Sequence, residues 1–240
     1  MPKEDAGHWV LASLGKTVLR PGGRATTHWL LDSADIPVKA VVEFAPGLGV
    51  TAQEILSRHP LSYVGIDETV QHPYGRVIKG QAQDTGLPSE SADVVIGEAM
   101  LSMQSERVKK EIMTEAARLL RPGGLYLIHE LLLLDASVEE QVRKDLARVI
   151  KVNARPSTLE EWTAIAEEAG FERLTYRPAP MGLLDPKQMF VDEGPLGMAR
   201  IAFNAARKPE ARKRMLEMRA TFAKHKKDLG AIGIVFRKKA

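Results

Sequence analysis

Between residues 38 and 177, short apolar runs alternate with longer amphipathic stretches, and this rhythm restricts the possible folds more than any other feature of the chain. The apolar runs fall at 38–45, 61–66, 77–79, 93–100, 125–134 and 171–177. They are rich in β-branched residues and bounded by Pro, Gly or Asp, as strands are. The stretches 51–58, 105–120, 138–151 and 158–169 carry apolar residues at the three- and four-residue spacing of helices packed on one face. Strands alternating with helices favour a parallel sheet covered on both sides. Such folds hold ligands at the carboxyl ends of their strands, so chemistry is expected after residues 45, 67, 80, 98 and 129.

The flanks read differently. Trp9, Val10, Leu11 and Leu14 suggest a helix running to the Arg20-Pro-Gly-Gly23 turn. Thr26 or Thr27 is a candidate cap for a second helix through Leu30 and Leu31. Residues 181–228 hold two helix candidates, 197–207 and 210–227, with Asp192-Glu-Gly-Pro195 between strand and helix, and 229–237 returns as an apolar strand. One domain over 1–240 is therefore expected: a helical cap at 1–36, an α/β core at 37–180 and 229–240, and a helical lid at 181–228. Met181, Leu183, Leu184, Met189, Phe190, Met198 and Phe203 are expected to give that lid an apolar underside.

Composition excludes several chemistries. The 240 residues contain no cysteine, which removes thiolate nucleophiles, cysteine zinc sites and cysteine-held iron–sulfur clusters. No apolar run approaches the ~20 residues that span a bilayer. The opening residues 1–7 include acids and lack an apolar h-region, so a cytoplasmic location is expected. Net charge is +3, but residues 205–240 carry +9 and the remainder −6. A solvated helix face explains the basic end better than an anionic partner does.

Gly47-Leu-Gly-Val-Thr-Ala52 has the G-x-G-x-x-A spacing of a dinucleotide-binding turn, and Asp67 ends the second apolar run. Such glycines let backbone approach a ligand, and such an acid can grip ribose hydroxyls. Both suit any adenosine-bearing cofactor. Glu43 separates the candidates, because a carboxylate at the first strand's end repels a diphosphate and attracts an ammonium group.

Further segments arrive in order: Val42-Glu-Phe-Ala-Pro-Gly-Leu-Gly49, Val64-Gly-Ile-Asp67, Gly80-Gln-Ala-Gln-Asp-Thr-Gly-Leu-Pro88, Ala92-Asp-Val-Val-Ile96, Ala117-Arg-Leu-Leu-Arg-Pro-Gly-Gly124 and Glu160-Glu-Trp162 with Glu168-Ala-Gly-Phe171. In this series the chain resembles the class I S-adenosylmethionine-dependent methyltransferases of the type 11 domain, in the small-molecule branch near the ubiquinone/menaquinone-biosynthesis enzymes. The resemblance implies a Rossmann-like, seven-stranded, mostly parallel sheet with an antiparallel last strand. It implies S-adenosyl-L-methionine as cofactor and S-adenosyl-L-homocysteine as product. It also implies Glu43 toward the methionine ammonium, Ala45, Gly47 and Gly49 beneath the cofactor, Asp67 on the ribose, Gln81 and Ala82 beside the adenine, and Glu98 on the methionine side. Two departures stand out: Gln81 replaces the usual Asp, and residues 68–76 are too few for the usual helix between the second and third strands.

A sulfonium methyl is already activated, so a base is needed only if the acceptor must lose a proton. Glu98, His129 and Glu130 stand at strand ends and are the candidates, with His129 and Glu130 taken as the catalytic pair. No histidine pair has metal-ligand spacing, and no metal is expected. The missing Asn/Asp-Pro-Pro-Tyr/Phe motif argues against nucleic-acid acceptors, leaving a small organic acceptor under the lid, with no membrane partner. The Arg20–Thr27 segment is a candidate to fold over the cofactor from the other side. Alternatives are an NAD(P)-dependent oxidoreductase or a non-enzymatic S-adenosylmethionine- or RNA-binding module. The oligomeric state is left open, a homodimer included.

Overall fold

The computed structural model describes residues 6–69 and 72–239. Its strands are β1 (Ala40–Phe44), β2 (Ser62–Asp67), β3 (Arg76–Lys79), β4 (Ala92–Glu98), β5 (Leu120–Leu133), β6 (Phe171–Pro180) and β7 (Leu229–Lys238). They form one sheet in the order β3–β2–β1–β4–β5–β7–β6. β1 pairs in parallel with β2 and β4, β2 with β3, and β4 with β5, while β7 runs antiparallel to both β5 and β6. The expected seven-stranded Rossmann-like sheet with an antiparallel last strand is present. β1 is buried along its whole length and β4 nearly so, which is why both read as unbroken apolar runs.

The helices are α1 (Gly7–Ser13), α2 (Gly23–Ala34), α3 (Val50–Ser57), α4 (Glu106–Leu119), α5 (Glu139–Ile150), α6 (Leu159–Glu168), α7 (Pro186–Arg207) and α8 (Pro209–Lys224). On one face of the sheet Ile112, Met113, Ala116 and Leu119 of α4 join Trp162 and Ile165 of α6 in a core with Phe44, Tyr126 and Phe171. The other face packs Leu30 and Leu31 of α2 and Ala52 and Ile55 of α3 against Val41, Val94 and Leu127. A third cluster joins Leu11, Leu146, Met218 and Phe222 under the last two helices. There Asp145 of α5 accepts from Lys224 Nζ at 2.6 Å and is 2.8 Å from His225 Nε2, tying α5 to the end of α8. No helix is long and apolar enough to cross a membrane among the described residues.

Several local expectations change. α1 stops at Ser13, and residues 14–22 continue as an irregular strap. The α2 N-cap is Gly22, so Thr26 and Thr27 lie inside the helix and their hydroxyls serve other partners. α4 ends at Leu119, just before Arg121-Pro-Gly-Gly124, and β5 begins earlier than residue 125, taking these four residues in as an irregularity where the register with β4 shifts. Asp192-Glu-Gly-Pro195 lies inside α7, which bends where Gly194 takes φ 66°. Pro195 needs no N–H partner as the first residue after that break. Phe190 and Phe203 are 57% and 61% exposed and do not belong to an apolar underside, whereas Leu184 and Met189 are buried. Between β2 and β3 no helix occurs among the described residues; Val70 and Gln71 of this link lie outside them.

Candidate active site

One cavity of about 610 Å³ opens where β1, β2 and β4 end, as strand order predicts, because β1 and β4 leave the sheet centre in opposite directions. Glu43, Ala45, Gly47, Asp67, Ala82 and Glu98 line it. Gly49, Gln81, His129 and Glu130 do not.

The turn after β1 explains the two glycines separately. Gly47 takes φ 55°, and a Cβ there would meet nothing closer than Ala45 O at 3.9 Å, so its Cα faces open space. Its N–H donates to Asp67 Oδ2 at 3.0 Å, which joins the ends of β1 and β2. Gly49 takes φ 74°, but a Cβ there would stand 2.4 Å from the His72 ring. His72 stacks on Tyr74, their ring centres 5.7 Å apart, so the β2–β3 link folds back over Gly49 instead of a ligand. Gln81 is exposed and takes an amide hydrogen bond from Gln83, while its neighbour Ala82 lines the cavity.

Glu43 is buried and accepts from Tyr63 Oη at 2.6 Å. Burial pushes its carboxyl up to about 8, against the pull of the Tyr63 hydrogen bond. Glu98, on the adjacent strand, goes the other way. Burial again opposes its charge, but the Arg20 guanidinium and the hydrogen bonds from His129 and Thr27 prevail and hold it at about 2. Arg20 Nη1 donates to Glu98 Oε2 at 2.7 Å, Thr27 Oγ1 donates to Oε1 at 2.5 Å, and Thr51 Oγ1, itself bonded to Arg20, donates to Oε2.

His129 is completely buried with both ring nitrogens engaged. Nε2 accepts the Gly22 N–H at 2.9 Å, which assigns the proton to Nδ1, 2.9 Å from Glu98 Oε1. Glu130 accepts from the N–H groups of Met100, Leu101 and Ser102 and from Ser102 Oγ at 2.7–3.0 Å. Burial pushes its carboxyl up, although these four donors favour the charge. Neither side chain reaches the cavity: His129 braces Glu98 and the strap, and Glu130 shapes the turn after β4.

The strap supplies Arg20, a residue that sequence reasoning passed over except as part of a covering segment. Its Nε and Nη2 are buried without a hydrogen-bond partner, and the residue lines the cavity. Buried N–H groups of this kind are rare unless a ligand or water completes them. Glu193 of α7 fixes the strap by accepting from Thr17 N, Thr17 Oγ1 and Val18 N at 2.7–2.9 Å and by pairing with buried Lys16 at 3.4 Å. Nothing in the Lys16–Arg20 sequence marks these contacts, because every partner lies at least 31 residues away. No cluster of acids and histidines suited to a metal occurs among the described residues.

Comparison with known proteins agrees with this fold. Residues 42–128 match the family described as a methyltransferase domain. An uncharacterized protein of Haemophilus influenzae is 33% identical over 238 residues, covering 92% of this chain and 94% of that one. Among solved structures, the cyclase SpnF has a TM-score of 0.73 at 15% identity, covering 99% of this chain and 94% of its own. The Burkholderia thailandensis 1,6-didemethyltoxoflavin-N1-methyltransferase, solved with its substrate and S-adenosylhomocysteine, has a TM-score of 0.58 at 14% identity, covering 90% and 78%. These two likenesses show a shared fold. With the ordered strand-end motifs and the family match, residues 42–128 form a methyltransferase domain, and the chain is an S-adenosylmethionine-dependent methyltransferase.

Proposed function

We propose that this methyltransferase acts on a small organic acceptor held beside the cofactor in the same cavity, with the strap and the 181–228 helices as its cover. The observation that carries the reading is a zwitterion-shaped set of charges at the strand ends. Glu43 and Glu98 bring two carboxyl groups to one wall, and the Arg20 guanidinium stands in the same wall, bonded to Glu98 and Thr51. An amino-acid head group suits both signs, whereas a diphosphate is repelled by the ionised Glu98 carboxylate. Asp67 serves the ribose hydroxyls, with one of its oxygens already oriented by Gly47, and Ala82 stands beside the adenine.

S-adenosylmethionine, when bound, supplies an activated sulfonium methyl, which an acceptor takes by in-line displacement. The protein's own part is alignment and exclusion of water. Leu131, Met181, Leu183, Met218 and Phe222 form the dry side of the cavity, and the strap closes its opposite wall. His129 serves as a positioning residue: it holds Glu98 through Nδ1–H and the strap backbone through Nε2.

Calorimetric titration of the full chain with S-adenosylmethionine, S-adenosylhomocysteine and NADH tests the assignment. The two sulfur ligands are expected to bind and NADH is not. Arg20→Ala is expected to weaken S-adenosylhomocysteine by about tenfold or more, the worth of a charged hydrogen bond. NADH binding in preference to both would overturn the reading.

A further inference from the structure

We infer that the outer side of α7 docks on a bilayer surface carrying anionic phospholipids, with the helix lying along the headgroups and crossing nothing. The expectation of no membrane partner rested on the want of a spanning run, and a surface-lying helix needs none. Beyond the bend at Gly194, the buried residues of α7 are Gly197, Ile201 and Ala205, one stripe at four-residue spacing. At about 100° per residue, Leu196, Ala199, Phe203 and Ala206 fall within one arc on the opposite side, and all four are exposed. Before the bend, Met189 and Asp192 are buried while Phe190 and Val191 are exposed. Val191 and Leu196 are exposed to 72% and 86%. Single exposed apolar side chains are ordinary, but four large ones on one helix mark a contact surface.

Charge selects the partner. α7 contains two acids, and both turn inward. Asp192 is buried and accepts from Arg24 N at 3.0 Å, and Glu193 is spent on the strap. The three bases of α7, Lys187, Arg200 and Arg207, are all exposed. Arg207 lies over the Phe203 ring, 5.4 Å from its centre, and Arg200, which donates to Gly15 O at 2.8 Å, flanks the same edge of the arc. The outward surface of α7 is thus apolar and basic.

Each occupant rewards this combination differently. Nucleic acid engages the bases through its phosphates and gains nothing from Val191 or Leu196. A second copy would cover the apolar arc, but an isologous pair brings the bases of one α7 against the same bases of the other. A bilayer with anionic headgroups takes both. Its acyl boundary receives the apolar side chains, and its phosphates meet the cations.

The test is flotation of the full chain with vesicles of phosphatidylcholine alone and with about one-third phosphatidylglycerol. The protein is expected to bind the mixed vesicles about tenfold more tightly than the neutral ones, a difference that shrinks as salt is raised. The double variant Leu196→Gln, Phe203→Gln is expected to lose about tenfold on mixed vesicles. Lys187→Gln with Arg207→Gln is expected to bring mixed and neutral vesicles within about threefold of each other. None of these four side chains lines the cavity, so both variants should keep the parent's S-adenosylhomocysteine affinity and urea midpoint. Those two readings show that the variants are folded and keep the docking surface separate from the methyltransferase site. Equal binding to both vesicle types, undiminished binding by Leu196→Gln, Phe203→Gln, or no binding at millimolar lipid overturns the inference. Polyuridylate bound more tightly than mixed vesicles overturns it in favour of nucleic acid. A dimer that Leu196→Gln, Phe203→Gln dissociates overturns it in favour of a second copy.

Discussion

Glu43 and Glu98 stand on paired strands at one cavity wall, yet their surroundings drive them to opposite protonation states. Glu43, raised to about 8 from a usual 4.5, keeps a proton that the unfolded chain gives up. Its contribution to stability is therefore full below pH 4.5 and is lost as pH rises through about 8. Tyr63, Glu98, Arg20 and Asp67 are the groups that act on it. An ammonium group bound beside Glu43 reverses the preference and expels that proton. At about pH 6.5, S-adenosylhomocysteine binding should release close to one proton, seen as a dependence of the binding enthalpy on the buffer's ionisation enthalpy, and Glu43→Gln should abolish it. Glu43 was legible in the sequence because it ends an apolar run just before a glycine turn. Arg20 was not, since its meaning comes from Glu98, 78 positions away. His129 stands at a strand end as expected, but strand position says nothing about which groups occupy its two nitrogens. Gly49 likewise carries the motif spacing while serving the packing of His72.

Element by element, the chain follows local rules where they are satisfied locally. α6 begins with a complete capping box, Thr158 and Glu161, and its boundaries match the sequence reading within one residue. α7 does not, because Gly194 and Pro195 look like a linker but form a bend inside one element. That bend sets Glu193 against the strap. Removing its carboxylate takes from buried Lys16 its hydrogen-bonded countercharge, leaving only Asp192 to act on it, and frees three hydrogen bonds. Glu193→Ala should cost about 3–5 kcal/mol, the usual penalty for breaking a buried ion pair, read by urea unfolding. It should also weaken S-adenosylhomocysteine, because Arg20 rides on the same strap. Thr158→Ala, far from the cavity, should cost only about 1 kcal/mol and leave ligand affinity unchanged. Equal effects of the two variants on affinity would separate the strap from the cavity.

For the molecule as a whole, the sheet order was legible in outline. Parallel strands follow from unbroken apolar runs, and the final reversal came from the family resemblance, not from the pattern of β7 itself. How the 181–228 helices sit was not legible, since both faces of α7 carry apolar residues and only tertiary contacts choose between them. Because the cavity joins the sheet ends to the strap, α5 and α8, a ligand filling it should stabilise the entire chain. A hundredfold excess of S-adenosylhomocysteine over its Kd should add about 2.7 kcal/mol and raise Tm by roughly 5–10 °C for a protein of this size. The position of β7 has one more consequence, for synthesis. It lies between β5 and β6, so a growing chain leaves the apolar β5 edge unpaired until residues 229–238 have left the ribosome. Translation runs N-terminus first, and the nascent protein therefore carries this open seam while residues 134–228 are being made, when it is most exposed to pairing with a neighbour on the same polysome.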